Sequence, residues 1–64
     1  MFAQRLKELR TNNSYTQTML AKTLGVTQGA VGNWECGIRE PNFTMLSKIA
    51  DCFNVTLGYM LGTE

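Results

Sequence analysis

The sequence predicts an all-α fold, a compact bundle of five short helices. Two observations carry this. Apolar residues recur three and four positions apart along most of the chain, with no β-type alternation. Serine, threonine or asparagine stands ahead of most of these runs and glycine behind several of them, which is where helix starts and stops are capped.

Phe2, Leu6 and Leu9 lie at helical spacing and predict a first helix from about Phe2 to Asn12, with Asn12-Asn13-Ser14 as its exit. Thr16 is the expected N-cap of a second helix, Gln17 to Leu24. Thr27 caps a third, Gln28 to Cys36, which Gly37 closes in the left-handed conformation. Arg39 to Asn42 holds the only proline and reads as a loop. Asn42 then caps a fourth helix with an apolar face of Phe43, Leu46, Ile49, Ala50 and Phe53. Thr56 caps a short last helix, Leu57 to Leu61, ended by Gly62.

Size and composition exclude several classes of function. Sixty-four residues, 44% of them hydrophobic and 17% charged, suit one small globular domain, 1–64, without room for a catalytic cleft. There is no histidine, and Cys36 and Cys52 lie too far apart for a zinc or thioredoxin-type motif. No catalytic residue, metal or cofactor is therefore expected. The longest apolar run is three residues, as in Met19 to Ala21, far short of a membrane span. Phe2 to Arg10 interleaves charge with apolar residues and is no signal peptide, so reduced thiols and a cytoplasmic location are expected. The Asn-x-Ser/Thr triplets at Asn12, Asn42 and Asn54 then read as turn and cap residues.

The stretch from Gln17 to Cys36 carries the functional argument. Leu20, Ala21 and Leu24 share one face of the second helix, and Val31 and Trp34 share one face of the third. Gly25 between them supplies the positive φ of a sharp turn, and Val26 completes the apolar set. Two short helices crossing steeply, with small Ala21 at their closest approach, make a helix-turn-helix unit at 17–36. The second helix of such a unit fits a DNA major groove. The net charge of only +1 supplies little non-specific attraction to phosphates, so the case rests on geometry and donor placement.

With these elements in order, the chain resembles the lambda-repressor and Cro-like helix-turn-helix family, the XRE family. Four pieces carry the resemblance: RLKELR (Arg5 to Arg10), TQTMLAKTLGVTQGAV (Thr16 to Val31), NWECGIREP (Asn33 to Pro41) and LSKIADCFNVTLGYMLG (Leu46 to Gly62). It implies a regulator that binds operator DNA, usually as a homodimer on a palindrome. Gln28 matches the first residue of the recognition helix, and its amide suits the N6/N7 edge of adenine. Gly29, Ala30 and Asn33 fall at the other groove-facing positions. Gly29 and Gly32 depart from the usual polar pattern and weaken the helix, by roughly 0.8–1 kcal/mol each against alanine. Gln17 matches a phosphate-holding residue, Thr16 adds a hydroxyl, and Gly37 and Arg39 fall where relatives touch the DNA backbone. Arg10 and Glu35 resemble the family's ion pair between the first and third helices.

The resemblance thus implies a phage- or prophage-type repressor that occludes RNA polymerase or touches it at an adjacent site. The loop after Gly37 and the last helix, with Tyr59 and Met60 exposed, are the expected dimer surface. The alternative is a protein-interaction module, antitoxin-like or scaffold, on the same fold. Arg5, Lys7, Lys22 and Lys48 read as solvated surface, and Cys36 as an inert thiol.

Overall fold

The structure is a computed structural model that describes residues 1–63. Among them the helices are α1 (Phe2–Asn12), α2 (Gln17–Leu24), α3 (Gln28–Cys36), α4 (Phe43–Phe53) and α5 (Leu57–Leu61). The molecule measures 28 × 23 × 19 Å. Among the described residues no helix is long and apolar enough to cross a membrane.

Local chemistry places the helix ends. The side-chain oxygens of Thr16, Thr27, Asn42 and Thr56 accept from the backbone N–H three residues on, at Met19, Ala30, Met45 and Tyr59, over 2.8–3.1 Å. Asn54 closes α4 in the left-handed conformation at φ 56°, which asparagine tolerates better than most residues. Gly25 takes φ 75° at the end of α2, and the Val26 N–H then donates back to the Ala21 carbonyl at 2.9 Å. That bond makes the turn tight and sends α3 off across α2.

The core gathers one face from every helix. Leu6, Leu20, Val31, Ile49 and Met60 are fully buried, with Phe2, Ala21, Leu24, Trp34 and Ala50 nearly so. Burying each of the larger aliphatic side chains contributes about 1.5–3 kcal/mol against exposure. Val26, Leu46 and Phe53 pack around this cluster. Helix α3 packs on both α1 and α2, while α5 lies against α1 and α4. The Tyr15 ring meets Phe53 edge-on at 5.7 Å, joining the α1–α2 loop to the end of α4.

Three expectations are corrected. Phe43 is 70% exposed and not part of the core face of α4. It stands at the first residue of the helix, where side chains lean back over the preceding loop rather than over the bundle. Met60 is fully buried, so it is no part of an exposed dimer surface. Tyr59 is half-buried beneath the Arg5 guanidinium, 4.3 Å from the ring centroid, and Leu61 is the exposed apolar residue of α5. Lys48 is not simply solvated: its Nζ donates to the Leu24 carbonyl at 3.1 Å.

Candidate nucleic-acid interface

The proposed readout residues lie on the first two turns of α3, from Gln28 to Asn33. Val31 and Trp34 face inward and are buried. Of the proposed readout positions, Gln28 and Gly29 are exposed and Asn33 is half-buried, while Ala30 is half-buried and packs against the core. The Asn33 carboxamide has no hydrogen-bond partner among the described residues. The backbone carbonyl of Asn33 accepts from the N–H of Ile38 at 3.0 Å, closing the helix over Gly37.

Gln28 does not hang free. Its Nε2 donates to Gln17 Oε1 at 2.5 Å, across the turn between α2 and α3. Gln17 in turn donates from Nε2 to Glu35 Oε1 at 3.1 Å. Glu35 is gripped by Arg10, whose Nε meets Oε2 at 2.5 Å and whose second terminal nitrogen meets Oε1 at 3.0 Å. The remaining Arg10 nitrogen donates to the Tyr15 carbonyl at 2.8 Å. The ion-paired side chains are only 11% and 4% exposed, so water and salt screen their attraction less than at an open surface. The hydrogen bond to Glu35 holds the Arg10 pKa above its ordinary value, despite the opposing effect of burial. Glu35 thus has its charge matched internally, and its place on α3 itself adds no open repulsion toward phosphates.

The network was not legible in the residues taken one at a time. Arg10 and Glu35 stand 25 positions apart, and Gln17 and Glu35 18. Only the crossing of α1, α2 and α3 brings them together. The half-buried Gln17 side chain is accordingly taken up by these two bonds. What it offers outward is the start of α2, where the backbone N–H groups of Gln17 and Thr18 precede the first bond closed by the Thr16 cap. Such a helix start attracts anions. The Thr16 oxygen accepts from Met19, which leaves its hydroxyl proton to donate. Gly37 and Arg39 are exposed just beyond α3, Gly37 at φ 77°. Lys48, by tying α4 to the last carbonyl of α2, is a support for this unit that spacing alone did not reveal.

Two crossed helices on a three-helix support, with an outward amide at the start of the second, define a lambda-repressor-like helix-turn-helix domain. The helix-turn-helix family's sequence model matches residues 6–60, and the chain belongs to that family, in its XRE-type branch. Among its relatives is the SPbeta prophage-derived uncharacterized HTH-type transcriptional regulator YonR of Bacillus subtilis, 36% identical over 61 residues, or 95% of this chain and 56% of YonR. The chain spans about half the length of the first curated relatives it matches. Two solved structures share the fold. The P22 c2 repressor, in complex with a synthetic operator, has a TM-score of 0.92 and 25% identity, covering 100% of this chain and 97% of that one. SinR, a master regulator for biofilm formation in complex with DNA, has a TM-score of 0.86 and 26% identity, covering 95% and 98%.

Proposed function

We propose that this chain is the sequence-specific DNA-binding domain of a transcriptional regulator, most simply a prophage-type repressor. The observation that carries this reading is the Gln28 amide, exposed at the start of α3 and steadied by Gln17. Gln28 reads a base edge, with Gly29 and Ala30 allowing close approach and Asn33 donating to a base or phosphate. Thr16, the N–H groups at the start of α2, Gly37 and Arg39 hold the phosphates on either side. That the P22 c2 repressor, which shares this fold, is seen in complex with a synthetic operator supports the assignment.

A single domain with a net charge of +1 binds phosphate weakly, so useful affinity calls for two copies on a palindrome. Their recognition helices would then enter successive major grooves about 34 Å apart. Ile38 and Phe43, each 70% exposed at the two ends of the loop after α3, are an exposed apolar pair that could join the copies. Bound in the cytoplasm over a promoter, such a dimer occludes RNA polymerase or touches it from an adjacent site. The same exposed apolar pair is what favours the second reading, a protein-interaction module in which DNA plays no part.

Selection from a random pool of DNA duplexes separates the two. A DNA reader enriches one half-site, repeated with two-fold symmetry, and Gln28→Ala relaxes one base position in it. Recovery of an unenriched pool overturns the DNA reading and favours the protein-binding one.

A further inference from the structure

We propose that Lys48 on α4 is a positioning residue for DNA reading, which holds the peptide group entering the turn between α2 and α3 and so sets how α3 leaves; this rests on the DNA-reading function proposed above. The Leu24 carbonyl and the Gly25 N–H belong to one planar peptide group. The Gly25 N–H donates to the Lys22 carbonyl at 3.3 Å, and the Leu24 carbonyl accepts from Lys48 Nζ at 3.1 Å. The plane is thus held by α2 itself at one edge and by α4 at the other. Glycine leaves such a plane wide freedom. No side chain stands close over Gly25, since a Cβ there would meet nothing within 4 Å. Lys48 is well placed to supply the missing restraint. Its neighbours Ile49 and Ala50 are buried, so its stem leaves from a fixed stretch of α4. Among the described residues no carboxylate pairs with its ammonium, which is committed to the Leu24 carbonyl.

Only Gly25, Val26 and Thr27 separate α2 from α3. The Val26 N–H is bonded back to the Ala21 carbonyl and Thr27 caps α3, so a turn of the Leu24–Gly25 plane is carried into α3 as a tilt. A tilt of about 10° displaces a side chain about 10 Å further along by about 1.7 Å, enough to break a hydrogen bond to a base edge. Attraction to phosphates changes little over such a shift, because it acts through charge at longer range. Lys48 therefore bears on discrimination between sequences more than on attachment to DNA at large.

The test uses the duplex that the wild-type chain selects and a scrambled version of it. Binding to both is measured for the wild type, Lys48→Met, Lys48→Arg and Arg5→Met, at a temperature where thermal unfolding shows each to be folded. Lys48→Met removes the cation, and Lys48→Arg keeps one that can donate to the same carbonyl. Arg5→Met is the control for charge, since Arg5 instead joins α1 to α5 through the Tyr59 ring. The ratio of selected to scrambled affinity should fall about three- to tenfold in Lys48→Met, as a lost dipole contact and hydrogen bond imply. It should stay within about twofold of the wild-type ratio in Lys48→Arg, which keeps the cation, and in Arg5→Met, which weakens both duplexes alike. Amide hydrogen exchange at Val26 should quicken in Lys48→Met while amides of α1 keep the wild-type rate. Should Lys48→Met not fold, Lys48→Gln, neutral and shorter, takes its place in the same comparison. An unchanged ratio in the folded neutral variant, or an equal fall in Arg5→Met, overturns the inference. Absence of any base preference in the wild type overturns the DNA-reading function itself, a separate result.

Discussion

The ammonium group of Lys48 on α4 lies 3.1 Å from the carbonyl oxygen of Leu24, the last residue of α2. A cation there meets the negative end of the α2 dipole and satisfies a carbonyl that has no partner within the helix. It fixes the end of α2 one residue before the Gly25 turn, and so helps to hold the angle at which α3 leaves.

Lys48→Met keeps the aliphatic stem and removes the charge. We expect a loss of about 0.5–1.5 kcal/mol in chemical denaturation, from the lost dipole interaction and hydrogen bond together. An unchanged midpoint and slope would mean that the contact contributes nothing in solution.

Two glycines, one inside α3 and one just beyond its end, should respond to alanine with opposite sign. Gly32 is inside α3 with room for a methyl group at ordinary contact distances, so Gly32→Ala should stabilise by roughly 0.5–1 kcal/mol. For a domain of this size that raises Tm by about 2–8 °C. Gly37 also has open space around it, but its φ of 77° strains any Cβ. Gly37→Ala should therefore lower Tm although nothing obstructs it. Scanning calorimetry of the two variants decides, and a shift of the same sign in both contradicts the backbone argument.

Arg10 and Glu35 distinguish a broken pair from an absent one. Arg10→Met alone leaves a carboxylate that is 4% exposed without its counter-charge, and should cost about 3–5 kcal/mol. The double variant with Glu35→Leu should recover most of that loss. The Arg10 pKa is raised in the folded protein, so its contribution is fully present below the unfolded-state pKa and is lost only as pH climbs through the higher folded value. Stability curves of the wild type and the double variant should thus run parallel from neutral to moderately alkaline pH. Divergence within that range would show that this sign is mistaken.

How much of this was legible in the sequence depends on how local the cause is. The ends of α2, α3, α4 and α5 follow from a cap side chain and the N–H three residues on, and each cap residue could be named from the sequence. The core face of α3 was equally plain, because Val31 and Trp34 repeat with the helix. Phe43 has the right spacing but stands at the first residue of α4, beyond the packed part of the helix, which periodicity cannot sense. Met60 lies in a helix of five residues, too short for spacing to tell inside from outside. In the candidate site, Gln28 lies three positions before Val31, in the register of the buried face, and is exposed because it stands at the first residue of α3; the resemblance pointed to it, and spacing did not. Its tether through Gln17 to Glu35 depends on the crossing of three helices, and no spacing in the chain encodes it.

Base readout and phosphate attraction should separate on titration with salt. Gln28→Ala should cost about 1–3 kcal/mol on the selected duplex and almost nothing on a scrambled one, with the salt dependence unchanged. Arg39→Ala should weaken both duplexes alike and reduce the slope of log affinity against log salt by about one. Equal losses on both duplexes for Gln28→Ala would remove that residue from the readout.

The exposed pair Ile38 and Phe43 gives the last prediction. Two large apolar side chains at 70% exposure flank one loop, while Met60, expected at the surface, is buried. If a second copy covers them on DNA, replacing both by lysine should leave the fold intact, since neither packs in the core. Affinity for an isolated half-site should then stay the same or rise slightly with the added charge. Affinity for the full palindrome should fall at least about tenfold, because linked half-sites gain from each other's effective concentration only while the copies touch. Titration of one-site and two-site duplexes with the same protein reads both quantities. An equal change on the two duplexes places the contact between copies elsewhere on the domain, with exposed Leu61 on α5 the next residue to test.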